Sequence, residues 1–155
     1  MTEPPVRPRR RILPPVWLLF AIVLAVGLDR LLPLADFPGL PAYLAGGAAV
    51  ALGLAMIVVP AGAFARAGTE IVPFRPSTTL VTGGFYKLTR NPMYLGMVLV
   101  LAGIGLLLGS AGALLPLPLF AVIIDRRFIA GEEQMLQATF GNEYRDYCQT
   151  VRRWL

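Results

Sequence analysis

The sequence predicts an all-α fold: a polytopic membrane protein with four transmembrane helices, the last two paired as a helical hairpin, followed by amphipathic C-terminal helices. Three observations carry this expectation. Charged residues make up 15% of the 155 and hydrophobic residues 56%, with a mean hydropathy of +0.66, whereas soluble domains carry roughly 25% charged residues. Uncharged runs at 12–28, 43–65 and 93–124 hold 17, 23 and 32 residues. The lysines and arginines flank these runs rather than forming a stripe, which fits membrane orientation and not a nucleic-acid partner. The length suits a single domain, 1–155.

The first element follows a proline-rich basic tail, 1–13, with Arg7, Arg9, Arg10 and Arg11. A basic start before an apolar stretch also describes a signal peptide. Here Asp29-Arg30 stands where a small-residue cleavage site would follow, so the run reads as a retained first span, about 14–33. The second span, about 42–65, is long enough for a core of about 30 Å. Its small residues Gly46, Gly47, Ala51, Gly53 and Ala55 allow close helix approach, and Pro60 is expected to kink it.

Between 66 and 91 the chain is polar and punctuated by Pro and Gly, which predicts an extended loop. The run at 93–124 is too long for one span, since 32 residues of helix reach roughly 48 Å at about 1.5 Å per residue. Gly109-Ser110-Ala111-Gly112 supplies the break, giving spans at about 92–109 and 113–130. From 131 to 155, Met135, Leu136 and Phe140 recur at helical spacing, Gly141 stops that helix, and Asn142 is expected to cap another.

Outside the spans, four basic residues lie in the N-terminal tail, four in 66–91 and five from 126 onward; Arg30 at the edge of the first span completes the 14. The positive-inside rule therefore puts both termini and the central loop in the cytoplasm.

The chain has no histidine and one cysteine, Cys148. Histidine bases, histidine metal ligands, cysteine zinc sites and internal disulfides are excluded, and no metal is expected. Chemistry must run on carboxylates, Arg, Lys, Tyr, backbone groups or a bound cofactor. The hairpin returns both its ends to one side, which brings Arg90 and Tyr94 towards Glu132 and Glu133. Adjacent carboxylates on a helix point about 100° apart, which suits two separate hydrogen-bonding tasks. Each residue also has a plainer role: Arg90 as an interfacial anchor, Tyr86 and Tyr94 as belt aromatics, and the glutamates as a solvated helix face.

Arg90-Asn91-Pro92-Met93-Tyr94-Leu95-Gly96, preceded by Gly84-Phe85-Tyr86, resembles the R-(H/N)-P-x-Y-x-G signature of the isoprenylcysteine carboxyl methyltransferase-like family. That family lies within a wider group of membrane methyltransferases that includes phospholipid N-methyltransferases. Its second half is matched by Glu132-Glu133, Leu136, Phe140-Gly141, Glu143-Tyr144, Tyr147 and Val151-Arg152-Arg153-Trp154, so the resemblance covers about 66–155. It implies an enzyme that uses S-adenosylmethionine in a cytoplasmic-facing pocket. Tyr86, Arg90, Asn91, Tyr94, Leu95 and Gly96 would line the pocket, and Glu132 and Glu133 would bind polar groups of the cofactor. Arg90 and Glu133 would serve catalysis. Asn91 replaces a frequent histidine, and Gly84-Phe85-Tyr86 replaces a more rigid Gly-Pro-Tyr.

The implied acceptor is lipophilic or membrane-associated. A carboxylate acceptor needs no base and is favoured over a lipid amine. Two other readings stay open. One is an NADPH-dependent membrane reductase of the sterol reductase type, for which Arg126, Arg127, Arg152 and Arg153 offer phosphate partners. The other is a non-catalytic membrane scaffold.

Overall fold

The computed structural model describes residues 12–32, 34–37, 39–66 and 79–155. Residues 1–11 of the basic tail and residues 67–78 of the expected extended loop lie outside them. Every named element in the described residues is helical. Helix α1 spans Pro14–Leu31, where prolines at the first two positions set φ for the first turn. Helix α2, Leu40–Arg66, runs through Pro60. A short 3-10 turn, Gly84–Lys87, precedes α3, Pro92–Leu108. These starts and ends fall close to the expected spans because proline and glycine punctuate the apolar runs.

Gly109 closes α3 in the left-handed region at φ 83°, a conformation that favours glycine. Ser110 then caps α4, Ala111–Leu114, by accepting a hydrogen bond from the Ala113 amide at 3.3 Å. Helix α5, Pro116–Ile124, leads into a wide π turn, Asp125–Ile129, and on into α6, Ala130–Phe140. The helical path thus continues past the charged residues expected to end the hairpin near 130. Gly141, at φ 54°, ends α6 and also holds the position before α7, Asn142–Thr150. Asn142 is therefore the first residue of α7 and not its cap.

Two helices, Pro14–Leu31 and Leu40–Gly62, are long and apolar enough to cross a membrane, and Pro92–Leu108 is a shorter apolar helix. Large side chains on α1 and α2 face outward, among them Leu19, Val23, Leu44 and Val58. A soluble monomer rarely exposes contiguous apolar surface on this scale; lipid is the medium that matches it. Inside, Leu101, Phe120, Ile124 and Ile129 form a core against Ala21 and Ala25 of α1.

The most extensive helix contact joins α2 to α3. Two glycine pairs make it. A Cβ on Gly53 would stand 2.6 Å from the Gly96 carbonyl oxygen, and one on Gly46 would stand 2.8 Å from that of Gly103. Of the small residues expected to matter, Gly47 does not: nothing lies within 4 Å of its Cβ position. At the end remote from the 3-10 turn, Ser110 donates to Asp29 at 2.7 Å, and Gly112 packs on the Leu32 carbonyl, which leaves no room for a side chain.

Replacing Gly53 with Val should force α2 and α3 apart and lower stability by about 1–3 kcal/mol or more. The same change at Gly47 should leave thermal unfolding in detergent unchanged.

Candidate functional site

The site is built where three segments meet: residues 84–94, the first turn of α6, and residues 151–154 after α7. Gly84 takes φ 60°, which lets the chain turn sharply into the 3-10 segment that carries Tyr86. Residues 89–91 then pair with the C-terminal segment through backbone and side chain. The Arg90 amide donates to the Arg152 carbonyl at 2.9 Å, and the buried Thr89 hydroxyl donates to the Arg153 carbonyl at 3.0 Å. Asn91 Nδ2 donates to that same carbonyl at 3.0 Å.

This docking brings the charges together. Arg90 Nη2 donates to Glu133 Oε1 at 3.0 Å, while its Nη1 donates to the carbonyls of Cys148 and Val151 at 3.3 and 3.2 Å. Arg153 reaches Glu133 from the other side through Nε at 3.2 Å and through a short contact from Nη2 to Oε2. Its Nη1 lies 3.4 Å from both oxygens of Asp125, which also accepts from Trp154 Nε1 at 3.1 Å. Two arginines thus neutralise Glu133 and Asp125. The Glu133 contact holds the Arg153 guanidinium above its ordinary pKa. Arg90 Nε is buried and has no hydrogen-bond partner among the described residues.

Glu132 is treated differently. Its Oε1 accepts a hydrogen bond from the neutral Tyr94 hydroxyl at 2.6 Å. Burial pushes the Glu132 carboxyl up to about 7, against the opposing pull of the Tyr94 hydrogen bond. Burial also raises the Tyr86 phenol, with Tyr147 and Glu132 nearby adding to it. The Tyr147 hydroxyl donates to the Tyr86 carbonyl at 2.6 Å, and burial raises that phenol to about 12 while Arg90 pulls it down. A shallow groove lined by Thr82, Lys87, Asp146, Tyr147, Thr150 and Val151 opens beside the turn.

Of the residues singled out in the sequence, Arg90 meets Glu133, Tyr94 meets Glu132, and Tyr86 stands within electrostatic reach of Glu132. The other three take different places. Asn91 turns to the C-terminal segment, Leu95 is buried within α3, and Gly96 faces Gly53 of α2. Thr89, Asp125, Arg153 and Trp154 complete the network, and composition and spacing assigned no such role to them. Among the described residues no three His, Cys, Asp or Glu side chains are grouped to hold a metal ion.

A family model described as phospholipid methyltransferase matches residues 41–143, a stretch from α2 to the start of α7. An uncharacterized protein of Haemophilus influenzae is 46% identical over 63 residues, 41% of this chain and 100% of that protein. No solved structure matches.

The Glu132 carboxyl predicts a pH dependence. Its pKa is raised from 4.5 to about 7 in the folded chain, so the stability that this group contributes is full below pH 4.5 and is lost as pH rises through 7. The loss amounts to about 3 kcal/mol at most. Thermal melts at pH 5 and pH 8 should show a larger fall for the native chain than for Glu132→Gln; equal falls would refute the assignment.

Proposed function

The chain belongs to the phospholipid methyltransferase family of membrane methyltransferases, and from that premise we propose that it transfers a methyl group from S-adenosylmethionine to a lipophilic or membrane-associated acceptor at the membrane–cytosol boundary. The observation that carries this reading is the meeting of Arg90, Tyr94, Glu132 and Glu133 at the start of the apolar helix α3. S-adenosylmethionine offers a carboxylate, ribose hydroxyls and two positive centres. Among the described residues Arg90 Nε is a buried donor without a partner, and Glu132 is a mostly buried acceptor whose partner is neutral. Donor and acceptor both suit such a ligand.

When bound, the cofactor supplies an electrophilic methyl group on sulfur, and the reactivity is its own. The chain supplies position and exclusion of water. Arg90 and Glu133 are the pair we assign to orienting the reactants: Arg90 Nε donates to a carboxylate oxygen, while Glu133, held by two arginines, keeps the guanidinium planes fixed. Tyr86, Tyr94 and Glu132 line the cofactor. Asn91 acts by fixing the C-terminal segment over the site, and Leu95 and Gly96 act by seating α3 against α2. Arg153 is committed to Glu133 and Asp125, which withdraws one of the four arginines on which the NADPH reading relies.

In this reading α1, α2, α3 and the α4–α5 stretch cross a bacterial inner membrane, with both termini and 66–91 cytoplasmic. Trp17 and Arg127, with the guanidinium 5.5 Å from the ring centroid, suit an interfacial anchor. The motif from Arg90 to Gly96 supports a place near the isoprenylcysteine carboxyl methyltransferase-like branch. Carboxylate O-methylation is the first acceptor reading because it needs no base; N-methylation of a lipid amine is the second, favoured by the family's description.

Solubilised protein should bind S-adenosylhomocysteine and not NADPH. Arg90→Ala and Glu133→Gln should weaken that binding at least about tenfold, the effect of losing a charge-assisted hydrogen bond. Wild-type affinity in both variants, or a preference for NADPH, would overturn the reading. With a methyl-labelled cofactor and native lipids, base-labile label released as methanol identifies an ester, and base-stable label an amine. For topology, a cysteine at Asp36 in a Cys148→Ser background should react with an impermeant reagent from outside, and one at Gln134 only after permeabilisation.

A further inference from the structure

Three carboxylates meet at this site, and the chain neutralises two of them. Glu133 faces Arg90 and Arg153, and Asp125 faces Arg153 and Trp154. Glu132 alone of the three has a neutral partner, the Tyr94 hydroxyl. A mostly buried carboxylate with no counter-ion among the described residues is an unfavourable arrangement unless a cation completes it. The surroundings specify which kind. No metal-holding group forms among the described residues, and the neighbours of Glu132 are the phenols of Tyr94 and Tyr86, with Phe128 packed on Tyr94 at a ring-centroid distance of 6.3 Å.

An organic cation with no N–H to donate suits aromatic neighbours and a single carboxylate better than an ammonium, which seeks several acceptors. Position argues the same way. Tyr94 lies inside the first turn of α3, whereas Arg90 precedes that helix. Glu132 is thereby tied to a residue within α3, and Glu133 to one that stands ahead of it. In the four-span reading α3 is the bilayer side, where a lipophilic acceptor meets the reactive sulfur.

We infer that Glu132, flanked by Tyr94 and Tyr86, reads the positive charge on the cofactor's sulfur, so that the chain holds S-adenosylmethionine more tightly than S-adenosylhomocysteine. The inference rests on the methyltransferase reading above. The two ligands share the adenosine, the ammonium and the carboxylate; they differ at sulfur, a sulfonium in one and a neutral thioether in the other. A carboxylate serving the shared ammonium would not distinguish them. One serving the sulfonium must.

Calorimetric titration of the solubilised full chain with each ligand tests this. The native chain should prefer S-adenosylmethionine by about tenfold, the scale of a partly buried charge pair. Glu132→Gln should erase the preference by weakening that ligand alone. Tyr94→Phe, which keeps the ring and leaves the carboxylate less shared, should retain it. Equal affinities in the native chain, or a preference that survives Glu132→Gln, would overturn the inference while leaving the methyltransferase reading intact, since both ligands bind. Failure of the native chain to bind either ligand would overturn both.

Discussion

Glu133, held between Arg90 and Arg153, is the contact on which the polar end of the molecule depends. It joins three segments that are far apart in sequence: the approach to α3, the first turn of α6, and the chain after α7. Taking these charges from water is unfavourable by several kcal/mol per ion, and only close, multiply hydrogen-bonded pairing offsets it. The chain meets that requirement with five donors from the two guanidinium groups, directed at two carboxylates and two backbone carbonyls. Loss of one partner would leave a buried charge uncompensated, so the arrangement is as much a device for holding geometry as a source of stability.

The apolar part supplies a rigid base for that cluster. Glycine pairs let α2 and α3 approach to backbone contact, and at the far end Asp29, Ser110 and Gly112 fasten α1 to the hairpin turn. The functional side chains thus stand on helix ends and on segments pinned by buried hydrogen bonds. Helix ends hold side chains to closer tolerances than free loops do. Lipid-facing residues of α1 and α2 play no part in the polar cluster; their role is to match the medium.

Much of this was legible in the sequence, for identifiable reasons. Apolar run length and the placement of Pro14, Pro92 and Gly109 locate α1, α2 and α3 closely. The hairpin's return brings Arg90 and Tyr94 to the neighbouring glutamates, an argument that needs topology alone. Spacing says which residues are near the cluster but not which way they point. Asn91 and Gly96 belong to the same motif as Arg90 and Tyr94, yet one turns to the C-terminal segment and the other to α2. The charge from Asp125 onward reads as the surface end of the fourth span near 130, whereas the helical path runs on into α6 with the Asp125 carboxylate paired to Arg153 and Trp154. Such pairing, across 28 and 29 positions, depends on a local helix geometry that no apolar count reveals.

That geometry is the π turn from Asp125 to Ile129. A wide turn of this kind accommodates one more residue than an α-helix would, and each residue of α-helix advances the face by about 100°. Its presence fixes the phase between the hairpin and everything that follows. Delete a single residue between the turn and Glu132, and α6 rotates by about 100°, so that Gln134 takes the place of Glu133 opposite Arg90; within the turn the loss is absorbed as the wide turn tightens to regular α-helix. The stretch between Ile129 and Glu132 is therefore constrained in length, since each residue there sets which side chain faces Arg90.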